Sequence, residues 1–278
     1  MSEDAQLAIR VSDVVDVLRE MFPLELAEDW DNVGLLVGDE TRPAGAIMTC
    51  LTLTEDVADE AAKRGAGLVV AHHPVLFRPV KTITAETPGG RALLALIEAG
   101  VSVYSPHTAF DSAVEGINAR LAASLELQDV RPLRPVPSFS ESQQEEAPLG
   151  SGRYGRLESP TRLGDFLAKV KLALDVEHLQ YIGEDDSRVS QVAVACGAAA
   201  EFIADAVRSG CNVLLTGEAR FHACLEARSS GLGLILPGHY ATERPAVEQL
   251  AHELQARFPS ASVWASEVER DPVRWSTP

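Results

Sequence analysis

Basic residues are scarce in this sequence: 24 lysines and arginines stand against 41 aspartates and glutamates, a net charge of −17 over 278 residues. A surface of that sign repels phosphate backbones, so nucleic-acid binding is not expected. Aromatic residues are sparse as well, at 5%, which leaves a core of alanine, valine and leucine. No apolar run approaches the roughly 20 residues that a bilayer span needs. Met1-Ser2-Glu3-Asp4 lacks the apolar stretch of a secretory signal, and a cytoplasmic location without membrane contact is the expectation. The cysteines, Cys50, Cys196, Cys211 and Cys224, are far apart and form no Cys-x-x-Cys. That excludes a zinc-finger or disulfide framework and favours buried free thiols. Walker A and G-x-S-x-G sequences are missing too. Gly150-Ser151-Gly152-Arg153-Tyr154-Gly155 spells G-x-G-x-x-G, but it follows a Pro/Ser-rich stretch and Arg156-Leu157-Glu158-Ser159-Pro160 does not open a helix. Without strand–turn–helix context it is no dinucleotide site.

What the chain does have is an apolar fraction of 46%, ample for two modest lobes. Short apolar runs alternate with helical patterns. Ser12 is placed to cap a first helix carrying Val14, Val15, Leu18 and Met21 on one face. Strands are expected at Ala46–Leu53, Gly67–Ala71 and Val101–Tyr104. Helices are expected from Thr54 to Arg64, from Thr87-Pro88 to Gly100, and from Ser112 to Ala123. Arg131–Gly152, rich in proline and serine with a polar run from Glu141 to Glu146, reads as a linker or long loop. Beyond it come helices at Thr161–Leu174, Ala198–Arg208, up to Arg228 and up to Phe258. They are interleaved with strands at Val189–Cys196, Val213–Thr216, Leu232–Leu236 and Ser262–Ala265. The pattern is that of an α/β protein with largely buried sheets. Its expected organisation is a first α/β lobe over residues 1–130, the linker over 131–152, and a second α/β segment over 153–278 that completes the site.

The halves resemble each other. The stretch from Arg64 through Val69-Val70-Ala71 to His72-His73 parallels Arg208 through Val213-Leu214-Leu215 to Glu218. Gly100 to Asp111 parallels Gly231 to Glu243. Each half then delivers a histidine and a carboxylate at the C-terminal end of a strand, where open α/β sheets bind ligands. Chance likeness between α/β units is the alternative.

His72 and His73 follow a strand and precede Pro74, which turns the chain. At a strand end both rings can converge on one cleft; a plain loop role is equally open for the pair alone. His107 and Asp111 are four apart, as are His239 and Glu243, and such spacing shares a helix face. One such pair is usually a cap or a surface ion pair; two at corresponding places beside a His-His pair point to metal. Imidazole and carboxylate together suit Zn, Fe, Mn or Co, and a carboxylate can bridge two ions. Glu218 and His222 form a third i, i+4 pair, in which His222 is either an acid–base group or a plain helix-face histidine. Asp31 and Asn32 lie in Trp30-Asp31-Asn32-Val33-Gly34, where either could face the cleft and turn formation is the favoured role.

With those motifs in hand, the chain resembles the Nif3-like family, also described as GTP cyclohydrolase 1 type 2 homologs. The likeness is carried by Ala27-Glu28-Asp29-Trp30-Asp31-Asn32-Val33-Gly34-Leu35, Ala71-His72-His73-Pro74 and Pro106-His107-Thr108-Ala109-Phe110-Asp111. Gly152-Arg153-Tyr154-Gly155, Thr216-Gly217-Glu218-Ala219-Arg220-Phe221-His222 and Gly238-His239-Tyr240-Ala241-Thr242-Glu243 complete it, in family order. The resemblance implies a two-lobed α/β fold with pseudo-repeated halves, a dinuclear site between them, and a hexameric ring of identical chains. It implies two divalent metal ions per chain on His72, His73, Asp111, His239 and Glu243, with Glu243 bridging and His107 beside them. The stretch from Arg131 to Gly152 is too short for the extra domain that some members carry. Glu218 stands where the family usually has Asp, and Gly197-Ala198-Ala199-Ala200 replaces a more glycine-rich turn.

Two functions compete. One is a metal-dependent hydrolase acting on a small molecule, either a nucleotide opened at its purine ring or a phosphoester, with His107 or His222 as general acid or base. The other is a non-enzymatic metal-binding regulator acting through protein partners.

Overall fold

The computed structural model describes residues 9–136 and 149–276. The run Glu141–Glu146, assigned from sequence to a loop, lies outside them. The chain forms two compact units, one comprising the chain up to Ala109 with Val247–Arg270, the other Phe110–Ala246 with the segment from Asp271. This division differs from lobes at 1–130 and 153–278. The reason is pairing: the last strand of the chain joins the first unit's sheet.

In the first unit, α1 (Val11–Met21) precedes β1 (Gly34–Val37), β2 (Ala46–Cys50), α2 (Glu55–Lys63), β3 (Leu68–Ala71), α3 (Pro88–Ala99), β4 (Ser102–Ser105) and the start of α4 (His107–Ser112). The sheet order is β1-β4-β3-β2-β13, where β13 is Ser262–Ala265. β13, β2, β3 and β4 are mutually parallel, and β1 is antiparallel to β4. Every residue of β3 is buried, as a central parallel strand requires. Val57, Ala58 and Ala61 of α2 and Ala92 and Leu96 of α3 pack on Met48, Val69 and Val103 in one core cluster. The α3 signals act as read: the Thr87 hydroxyl accepts from Gly90 N at 3.1 Å, and Gly100 ends the helix at φ 72°. At α1 the cap is Arg10 rather than Ser12, because the Asp13 carboxylate accepts Arg10 N at 2.8 Å.

The second unit holds α5 (Ile117–Ser124), β5 (Gln128–Arg131), β6 (Arg134–Pro135), β7 (Gly150–Ser151), β8 (Arg153–Arg162), α6 (Leu163–Ala173), β9 (Gln180–Ile182), β10 (Arg188–Val194), α7 (Ile203–Arg208), β11 (Val213–Leu215), α8 (Phe221–Ser229) and β12 (Gly233–Leu236). α9 (His239–Arg257) begins here. The sheet order is β5-β8-β10-β11-β12-β9. β10, β11 and β12 are parallel, flanked by antiparallel β8 and β9. Phe202, Ile203, Leu214 and Leu234 anchor its core.

Both units therefore contain three parallel strands in the same order, β2-β3-β4 and β10-β11-β12, joined by helices. That is the duplication seen in the sequence. The helix expected at Ser112–Ala123 is α5, which starts at Ile117, and Ser112 instead ends α4. No strand is expected between the linker and the helix from Thr161, yet β8 is a ten-residue strand there that takes in Thr161 and Arg162. Its charged and proline-containing sequence has poor strand propensity, and the ladders to β10 and β5 override it. Both ends of the expected linker also pair, Arg134 with Ser151 and Pro135 with Gly150. Among the described residues no helix is long and apolar enough to cross a membrane.

Candidate metal centre

Parallel pairing of β3 and β4 brings the residues after Ala71 and after Ser105 to the same sheet edge. His72 and His73 follow β3, and His107 opens α4 after β4. The donor nitrogens of these three histidines lie within 4.8 Å of one another. The backbone holds them there: His72 N donates to Cys50 O and His73 N to Leu51 O, each at 2.9 Å, and the Ser105 hydroxyl donates to His72 O at 2.7 Å. The His73 ring is set by its other nitrogen, since Nδ1 lies 2.7 Å from Thr52 Oγ1. Thr52 is itself fixed by the Glu269 carboxylate, which accepts from Leu51 N at 2.9 Å and Thr52 N at 2.6 Å.

His107 is held more tightly still. Its Nδ1 lies 2.8 and 2.9 Å from the two Asp31 oxygens. Asp31 also accepts from Thr108 N at 3.2 Å and the Thr108 hydroxyl at 2.5 Å. Burial opposes the charge on Asp31, but the bonds from His107 and Thr108 outweigh it and hold the carboxyl at about 2. His107 sits at φ 30°, a left-handed backbone uncommon for a side-chain-bearing residue. The Asp31 contacts to both His107 and Thr108 keep it there. Asp31 thus holds His107 and Thr108, whereas its local sequence favours turn formation over a place facing the cleft. Nothing local distinguishes it, because its partners lie 76 and 77 positions away.

In the second unit the ends of β10, β11 and β12 deliver Cys196 and Gly197, Glu218, and His239 in turn. Thr216 N donates to Ile235 O, Glu218 N to Gly197 O and Gly238 N to Gly217 O, at 3.0 to 3.1 Å, stitching the three turns together. His239 Nε2 lies 3.0 Å from Glu243 Oε2, the i, i+4 contact expected, and Nδ1 lies 3.0 Å from Glu218 Oε1. Burial disfavours the His239 cation, yet Glu243 and Glu218 outweigh it and raise its pKa to about 9. Glu218 therefore serves His239, not His222. His222 is exposed on α8 beside Phe221.

Asp111 takes a different partner from His107. Its Oδ1 accepts from the Cys196 thiol at 3.3 Å. Burial, then Asp111 and Glu243, push that thiol well above its ordinary range, so Cys196 is a neutral donor lying beside both carboxylates. Asn118 braces this corner: Nδ2 donates to Asp111 O at 3.1 Å and Oδ1 accepts from Cys196 N at 2.8 Å. The buried Arg153 guanidinium donates to Ser112 O at 3.1 Å and Ala113 O at 2.7 Å, fixing the end of α4 just past Asp111. Burial brings its pKa down to about 10. Neither Asn118 nor Arg153 was singled out as a site residue, since each acts across the fold.

The donor chemistry fits divalent cations. His73, His107 and His239 each have Nδ1 against an oxygen of Thr52, Asp31 or Glu218. In His107 and His239 a carboxylate takes Nδ1–H, which leaves Nε2 to face a metal ion or a reacting proton, and in His73 the Thr52 contact sets the direction of the ring. Gly197 keeps room for Glu243: at φ 66° an added Cβ would lie 2.3 Å from Glu243 Oε1 and 3.2 Å from His239 Nε2. All four cysteines are free thiols, and the N,O set is what Zn, Fe, Mn or Co sites use.

The profile of the Duf34/NIF3 family (NGG1p interacting factor 3) matches residues 9–272. The chain belongs to this family. It is similar to a Clostridium acetobutylicum protein named GTP cyclohydrolase 1 type 2 homolog, 30% identical over 90% of this chain and 91% of that one. A NIF3 homolog of Schizosaccharomyces pombe is 33% identical over 92% and 95%. Among solved structures, a Bacillus cereus protein related to NIF3 matches with a TM-score of 0.86 and 25% identity over 97% and 99% of the two chains. This NIF3-family chain has groups of histidine and glutamate able to hold a metal ion. The first unit gathers His72, His73 and His107; in the second, His239 lies against Glu243, and Cys196 lies beside Asp111 and Glu243.

Proposed function

We propose that this NIF3-family chain is a metal-dependent hydrolase whose two groups of donors act together on a pair of divalent cations. The observation that carries the reading is the shared construction of the groups, in which histidines emerge from parallel strand ends with Nδ1 anchored on oxygen. His72, His73, Asp111, His239 and Glu243 are the residues that would hold them. Such a cation pair lowers the pKa of a water toward 7 and polarises the bond to be cut.

The protein's own residues do the rest. Asp31, ionised and bonded to His107 Nδ1, fixes the direction of that ring, as a carboxylate does behind a catalytic histidine. His107 Nε2 is then the atom that takes a proton from the attacking water and returns it to the leaving group. His222 is exposed and lacks Glu218 as a partner, which favours His107 for this role. Glu218 directs His239 through Nδ1, and Thr52 sets the direction of the His73 ring. The substrate is a small molecule, either a nucleotide opened at its ring, as the relatives' name suggests, or a phosphoester. A hexameric ring in the cytoplasm is the assembly and location consistent with the family resemblance.

The family description, an interacting factor, favours a second reading as a metal-binding regulator. Elemental analysis of purified protein, combined with turnover of GTP and a model phosphodiester, separates the two. Turnover lost in Glu243→Ala supports the enzyme. Two metals per chain with no turnover on a broad substrate panel overturns it in favour of the regulator.

A further inference from the structure

Trp30 and Phe77 are large apolar side chains left in solvent, 59% and 45% exposed, in a chain poor in aromatics. Tryptophan is highly buried on average, so two such rings side by side need a reason. Their centroids are 5.9 Å apart at an interplanar angle of 74°. Both meet the His107 ring edge to face, at 6.2 Å and 76° for Trp30 and 6.1 Å and 90° for Phe77. The three rings form a corner whose floor is the proposed acid–base group. The corner is also rigid: Asn32, two residues after Trp30, donates through Nδ2 to Leu76 O at 2.7 Å and through its backbone N to Asp31 Oδ1 at 2.8 Å. The Trp30 and Phe77 loops are thereby tied to each other and to the carboxylate that holds His107, so little order remains to be imposed when a ligand arrives.

We infer that Trp30 and Phe77 are a substrate-positioning clamp for a planar heteroaromatic ring of nucleobase size. Flat faces meeting nearly at right angles suit a plate that stacks on one ring and is edged by the other. Exposed aromatic platforms bind bases through their π-faces with little sequence preference. The inference rests on the hydrolase reading only in taking the ring to be part of that substrate.

The test uses intrinsic fluorescence of the full chain, with and without chelation of metal, titrated with adenosine, guanosine, cytidine and uridine. Saturable quenching by at least one nucleoside is expected, lost in Trp30→Phe, which leaves Trp264 and Trp275 as the remaining tryptophans. Binding in Phe77→Ala should weaken roughly 5- to 150-fold, the range for loss of one stacking platform. Quenching that persists in Trp30→Phe, or none with any nucleoside, overturns the clamp. So does a change in hydrodynamic size for Trp30→Ala, which would make the corner a contact between copies. Metal content is read on the same samples. Nucleoside binding by unchelated protein that takes up no added metal sinks the metal reading alone, and metal without nucleoside binding sinks the clamp alone.

Discussion

Consider alanine at Gly197. The new Cβ would lie 2.3 Å from Glu243 Oε1, more than about 1 Å inside van der Waals contact. Glu243 cannot stay where it is, and its other oxygen is the one 3.0 Å from His239 Nε2. The backbone contributes separately, because φ is +66° and an L side chain there costs about 1 kcal/mol. Gly231 provides the control, with φ +68° and nothing within 4 Å of an added Cβ. Gly231→Ala should therefore show the backbone cost alone, roughly 2–4 °C in Tm, with metal affinity unchanged. Gly197→Ala should lose at least about tenfold to a hundredfold in metal affinity, the range for disturbing a ligand's supporting contacts. Isothermal titration of chelated protein with Zn or Mn, alongside thermal unfolding of both variants, gives the comparison. Equal metal affinity in the two variants would refute the reasoning, since it would mean that Glu243 does not need the space Gly197 leaves.

Three further outcomes follow from the same contacts. Glu218→Gln keeps the shape but removes the charge behind His239 Nδ1, and metal affinity measured by competition with a chromophoric chelator should fall about 10–100-fold. Glu60, buried on α2, accepts from the Ser266 hydroxyl at 2.6 Å, Glu267 N at 3.1 Å and Trp264 Nε1 at 3.3 Å. Glu60→Gln should cost about 1.5–3 kcal/mol at pH 7 by chemical denaturation. Although burial pushes the other way, bonds from Ser266, Glu267 and Trp264 hold the carboxyl below its ordinary 4.5. Its contribution is thus complete above the unfolded value and fades as pH falls through the folded one, so the gap between wild type and Glu60→Gln should narrow below pH 4.5. Leu96→Ala, at a fully buried position of α3, should cost about 2–5 kcal/mol in the same assay; a loss under 1 kcal/mol would mean that the α2–α3 layer is not packed as described.

Much of this protein was legible before any coordinate. A four-residue apolar run such as Leu68–Ala71, too short for a helix, suits a strand buried on both faces, and Thr87-Pro88 with Gly100 delimits α3 because capping is local chemistry. The repeated order of strand, histidine and carboxylate marked His72, His73, His107, Asp111, His239 and Glu243. Tertiary structure decided what depends on distant partners. Asp31 is unremarkable until His107 and Thr108 arrive from the far end of β4. Glu218 and His222 share a helical spacing, yet Glu218 lies before α8 and turns to His239 from the neighbouring strand end. β8 forms against its own propensity because two ladders supply what its side chains do not. β13, last in the chain, lies beside β2 near its beginning, and so divides the molecule into units that no linear partition of the sequence describes. Periodicity and capping are properties of neighbouring residues and can be read along the chain, whereas strand pairing and ring orientation are properties of contacts that exist only once the chain has folded.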